Sequence, residues 1–339
     1  DRFQAAFYVF HFATLMMVLS ISVVPFKALI IAHKRIIYIA VIDSINIVLK
    51  LGAVISLNFI AYDNLVVYGL SIFLIQAIVF TLYYLTCISK YSEARVKWVK
   101  DKKLFGEIVS FGGFNLITSI AYIARNQGFA ILLNVFFGPI MNAAYGVANQ
   151  VNSQLRSFSN NITTAVNPQL VKRFAADRHS EMLTLVNSTG KISYYVLFII
   201  SMPILIDMEY ILNLWLKEVP EYASTICRLI IIGALIEVII QPVESIIVAT
   251  GKIKYFQICT GGLLLSIIPI SYVLLKITGD YELIFITNIV VGLIALFTKL
   301  LFAKHLTELN ISVFMKQVIL YVAFITLLII GIQVGAKLL

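Results

Sequence analysis

The feature that most constrains this chain is a series of long stretches without one charged side chain. Residues 3–26, 64–89, 126–155, 255–275 and 317–336 contain no Asp, Glu, Lys or Arg. A helix needs about 20 apolar residues to cross the hydrocarbon core of a bilayer, and each run is long enough. Lipid offers backbone groups no hydrogen-bond partners, so only helices or closed barrels span it. The runs lack the period-2 alternation of barrel strands and therefore read as helices. Composition agrees: 60% of the 339 residues are hydrophobic, 13% are charged and the mean hydropathy is +0.96.

Ten spans are predicted, at 5–31, 36–61, 64–88, 107–136, 139–167, 189–213, 222–250, 254–277, 281–303 and 315–336. If they alternate in direction, fifteen Lys and Arg fall on one side, from Lys34 and Arg35 through Lys304 and Lys316. Four fall on the other: Arg2, Lys217, Lys276 and Lys337. The positive-inside rule places the first set in the cytoplasm, and the net charge of +9 needs no nucleic acid to explain it. The connection 89–104 is the most basic, with Lys90, Arg95, Lys97, Lys100, Lys102 and Lys103. It reads as a topology-setting linker or as a contact for anionic headgroups. A second cytoplasmic connection, 168–186, is expected to hold a short amphipathic helix around Phe174 to Val186.

The segments 25–38 (PFKALIIAHKRIIY) and 242–255 (PVESIIVATGKIKY) align at an offset of 217 residues, matching Pro25 with Pro242 and Tyr38 with Tyr255. Both copies turn on the cytoplasmic side, so the repeat is parallel, as in transporters made of two similar lobes. The expected fold class is an all-α polytopic membrane bundle of two pseudo-repeated six-helix lobes. In it, 1–88 are the last three helices of an N-terminally truncated first lobe and 89–104 are the linker. Residues 105–304 are the second lobe and 305–339 an extra helix. The abrupt start, without Met, suggests a missing N-terminus, and the repeat offset places the counterpart of Leu104 about 113 residues before position 1, leaving room for three further spans.

Polar groups at membrane depth mark candidate sites. Asn142, Asn149, Ser153, Arg156, Asn160, Thr163 and Asn167 step by 7, 4, 3, 4, 3 and 4, which puts them on one helix face. The preceding span carries Arg125, Asn126, Gln127 and Asn134. Arg125 and Arg156 differ in depth by roughly 7 Å at 1.5 Å per residue. Two permanent cations call for an anion, and guanidinium forks suit phosphate; pairing with an acid on another helix is the rival reading. Glu237, Gln241 and Glu244 share a face of the 222–250 span, which Pro242 should kink. Asp43, Asn46 and Lys50 share a face of the 36–61 span. Either set serves an ion-coupling path or static ion pairs. His11 and His33 are weaker signals, and Cys87, Cys227 and Cys259 read as small core residues. No catalytic constellation, phosphate loop, cofactor motif or metal spacing is visible.

The runs NVFFGPIMNAAYGVANQVNSQL, AVNPQLVKRFAA, LNLWLKEVPEYAS and IVATGKIKYFQI, with ALIIAHKRIIYIAVIDSINIVLKL in the first half, resemble the Wzx-type polysaccharide flippases. These belong to the multidrug/oligosaccharidyl-lipid/polysaccharide exporter superfamily, and the likeness runs from about Pro25 to Leu301. It implies a V-shaped, alternating-access transporter with a cationic cavity in the bacterial inner membrane. Its cargo would be an undecaprenyl-pyrophosphate-linked oligosaccharide for O-antigen or capsule assembly, with a polymerase and glycosyltransferases as partners. Substrate contacts would come from Arg125, Asn126, Gln127, Asn149, Ser153, Arg156, Asn160 and Lys50, and ion coupling from Asp43, Glu237, Gln241 or Glu244. The alternatives are a cation-coupled multidrug antiporter, a peptidoglycan-precursor flippase, or a membrane scaffold for polysaccharide enzymes that transports nothing.

Overall fold

The computed structural model describes residues 2–59, 63–94 and 101–338. These residues form an all-α polytopic membrane bundle in two compact units, 1–100 and 101–339. Nine helices among the described residues are long and apolar enough to cross a membrane.

The first unit holds α1 (Arg2–Ala32), α2 (Ile36–Ser56) and α3 (Asn64–Lys90). Both α1 and α2 pack along α3. Its core is small, built on Ile30, Val79 and Tyr83. The α2 helix stops at Ser56 rather than 61, because a 3₁₀ turn over Leu57–Phe59 tightens its end. Asp63 caps α3 by accepting the Leu65 N–H at 2.9 Å.

The second unit begins with α4 (Lys102–Phe137) and α5 (Pro139–Ala175), joined by Gly138 alone. Gly138 sits at φ 84°, where a side chain would be strained, and Pro139 opens α5 with its φ already suited to a helix. Then come α6 (His179–Ile206), short α7 (Met208–Trp215), α8 (Ala223–Ala249), α9 (Lys254–Thr278) and α10 (Glu282–Thr307). A final rod consists of α11 (Ile311–Phe314), a π-helical turn over Met315–Ile319, and α12 (Leu320–Leu338). The core rests on α5 and α6 against α8, α8 against α10, and α4 against α9. Gly190 lets α6 approach α8 closely: a Cβ there would lie 2.9 Å from the Ile239 carbonyl oxygen.

Three sequence expectations need correction. The amphipathic helix expected around 174–186 does not exist as a separate element. Instead α5 runs on to Ala175, and α6 starts at His179, ten residues before the predicted span. The predicted 189–213 span divides at Asp207 into α6 and α7. The linker expected at 89–104 is shortened by α3 and α4; its Arg95, Lys97 and Lys100 lie outside the described residues. The 139–167 segment forms α5 but is too polar to count among the nine apolar helices. It packs along α6 and α8 inside the bundle. The alternation behind the charge asymmetry requires that it cross the membrane.

The internal repeat reaches into the backbone. The first helix of each copy ends at Ala32 and at Ala249, and the residues in left-handed conformation that follow are Lys34 and Gly251. The third helix ends at Lys90 in one copy and at Thr307 in the other. All three pairs stand 217 residues apart, the offset of Pro25 and Pro242.

Candidate functional site

Glu237 lies at the middle of α8, so its carboxylate sits where desolvation is most costly. It is met by both arginines. Arg125 of α4 donates to Glu237 Oε1 at 3.2 Å, and Arg156 of α5 donates to Oε2. The reach of the two side chains absorbs the depth difference expected from the helices. Arg125 also donates to Asn288 Oδ1 of α10 at 3.1 Å and stacks 5.0 Å from the Tyr122 ring centre. Arg156 donates to Asn152 Oδ1 at 3.3 Å. Two helical turns further along α8, Glu244 pairs with Lys299 of α10. The cluster therefore holds three cations, Arg125, Arg156 and Lys299, against two carboxylates, Glu237 and Glu244. One positive charge remains in excess.

The rival reading of the arginines thus applies: each pairs with an acid from another helix. Arg125 and Arg156, expected to bind cargo, and Glu237, expected to couple ions, therefore belong to a single network. Gln241 joins it to α5, donating to Asn160 Oδ1 at 3.2 Å and accepting from Thr163 Oγ1 at 3.3 Å. The two cavities inside the network are small. One, of about 20 Å³, lies among Tyr122, Arg125, Glu237 and Lys299. The other, of about 30 Å³, lies among Asn126, Asn149, Asn152 and Arg156. Each has room for one or two waters, not for a sugar.

The polar face of α5 is rotated from its expected place. Arg156 and Thr163 turn inward to α8, while Ser153 and Asn160 are exposed. The outward surface is instead Gln150, Ser153, Gln154, Ser157, Asn160, Asn161 and Thr164, all of them exposed, with exposed Phe158 at its border. At 100° per residue they cover an arc of about 120°, and at 1.5 Å per residue a length of roughly 21 Å. Gln150, Gln154, Ser157, Asn161 and Thr164 were missed. The signal for them was the stripe of Met141, Ala144, Tyr145, Ala148 and Leu155, which is buried and fixes the opposite side.

Other sequence candidates scatter. Asn126 is exposed but keeps its Oδ1 3.4 Å from Arg125 Nε. Gln127 and Asn134 point outward among Ile123, Ile131 and Val135. In the first unit, Asp43 accepts from Lys27 Nζ at 3.1 Å and from the Tyr83 hydroxyl at 3.0 Å. Neither Lys27 nor Tyr83 was singled out in the sequence. Asn46 Oδ1 is buried without a partner. Lys50 is exposed and has no ion-pair or hydrogen-bond partner among the described residues. His33 stacks on Tyr91, with 4.2 Å between ring centres. Cys87 and Cys227 are buried, but Cys259 is exposed, contrary to its expected core position. A second buried amide site joins α4 and α9, where Gln257 donates to Asn115 Oδ1 at 2.7 Å.

No family model, curated protein or solved structure matches this membrane-spanning chain.

Proposed function

We propose that the chain is the membrane body of a flippase for undecaprenyl-pyrophosphate-linked oligosaccharides, working by alternating access in the bacterial inner membrane. The observation that carries this reading is the exposed amide and hydroxyl stripe of α5. Such a stripe is costly against lipid and is stable against water or a polar solute. Amides and hydroxyls both donate and accept, which suits sugar hydroxyls.

The adjoining cluster suits the pyrophosphate. Its excess positive charge favours an anion, and the side chain of Arg156 is 25% exposed against 10% for Arg125. Arg156 is therefore the arm that swings from Glu237 to a phosphate, while Arg125 stays and keeps the carboxylate neutralised. The polyprenyl tail remains in lipid throughout. A cationic drug would meet repulsion here, which disfavours the antiporter alternative.

The test replaces Ser157, Asn160 and Asn161 together by Leu in a strain whose surface polysaccharide depends on this chain. Expected are loss of surface polysaccharide, accumulation of lipid-linked repeat units on the cytoplasmic side, and an unchanged protein level. Normal polysaccharide in that variant would overturn the proposal and favour a scaffold.

A further inference from the structure

The opposite side of α8 carries a different feature. Arg228 lies nine residues before Glu237, which at 100° per residue puts the two on opposite faces. On the Arg228 face, a cavity of about 840 Å³ lies among α6, α8, α10 and the final helical rod. This is within the ~300–1,000 Å³ usual for ligand sites. Its walls include Phe198, Met202, Ile232, Ile239, Phe297 and Val322. Its hydroxyls from Tyr194 and Thr326 bond each other at 2.7 Å, so the interior is apolar. Arg228 is its one charged lining residue. The Arg228 Nε is buried without a partner, and no described residue pairs with the guanidinium.

Three further observations define an occupant. Ile232 and Phe297 are exposed, so the cavity opens on the bundle's side, where a membrane protein meets acyl chains. From Arg228 to Ile239 the lined length of α8 is roughly 16 Å at 1.5 Å per residue, close to one leaflet of a ~30 Å core. Arg228 also lies five residues inside the start of α8, whose N-cap is the exposed Tyr222, and α7, the helix just before it in the chain, exposes Tyr210 and Trp215. Tyr and Trp favour the headgroup level. The π-helical turn contributes Met315 and Ile319 to the far wall.

We infer that this groove is a binding site for one anionic phospholipid of the leaflet opposite the basic connections. Its acyl chains fill the cavity and its phosphodiester pairs with Arg228. The inference does not rest on the cargo reading, because it concerns the other face of α8 and is read by lipid binding rather than transport.

The experiment is native mass spectrometry of the full chain, released from micelles containing dioleoyl-phosphatidylglycerol and dioleoyl-phosphatidylcholine in equal amounts. The wild type is expected to retain the anionic lipid about tenfold better. Arg228→Gln should erase that preference and Arg228→Lys should restore part of it, which also controls for folding. Ala323→Trp, at an exposed wall position, should lower retention of both lipids. An equal preference in the wild type, or an undiminished one in Arg228→Gln, overturns the site. So does competition by soluble glycerol phosphate, which lacks chains. Preferential retention of polyprenyl phosphate over phosphatidylglycerol would assign the groove to the cargo lipid and overturn the phospholipid.

Discussion

The segments α1–α3 and α8–α10 share helix ends, an internal proline and a left-handed turn residue at one offset, yet they carry opposite charge at the same place. Two residues after the proline, α1 has Lys27 and α8 has Glu244. Each finds a partner on a neighbouring helix of its own unit: Lys27 meets Asp43 of α2, and Glu244 meets Lys299 of α10. The first pair is 37% and 42% exposed, whereas Lys299 is only 6% exposed. At the position of Glu237, α1 has Ser20. The repeat therefore fixes where helices stop and where they touch. The ionic content is set separately in each copy, and only the second concentrates charge at mid-membrane.

Breaking the buried cluster should have the largest effect. Glu237→Gln leaves Arg125 and Arg156 unpaired at the centre of the bundle. A loss of about 3–5 kcal/mol is expected, measurable as a lowered midpoint of unfolding in detergent. Lys299→Glu should cost almost as much, by setting two acids side by side. Combined with Glu244→Lys, it should recover most of the loss, and a double-mutant cycle would read the coupling. Asp43→Asn tests the first copy. With both partners over a third exposed, the expected cost is about 1 kcal/mol or less. An effect as large as that of Glu237→Gln would end the contrast between the copies. The smallest effect is expected from Asn161→Leu alone, within about 0.5 kcal/mol, because no described residue bonds its side chain.

Much of this was legible in the sequence. Charge-free runs located the apolar helices, and the paired prolines gave the repeat before any backbone was placed. Span ends were least legible where polarity and helicity part company. The 174–186 stretch is helical on both sides of a three-residue turn because α5 and α6 project beyond the apolar zone. The site was half legible. Spacing put Arg156, Asn160 and Thr163 together, but polar residues cover so much of α5 that period alone does not say which part faces a neighbour. The partners Lys27, Tyr83, Lys299 and Asn288 were invisible for another reason: each lies in a mostly apolar helix without a polar face at helical spacing, and its meaning depends on another helix. Arg228 was missed in the same way, since pairing or its lack is a property of the packed bundle.

The connection at Gly138 has a mechanical consequence. A single residue between helices of 36 and 37 residues leaves no slack, so α4 and α5 tilt as one piece, like the two arms of a stiff hairpin. Any tilt of α5 would be carried along α4 to Asn115, which holds α9 through Gln257.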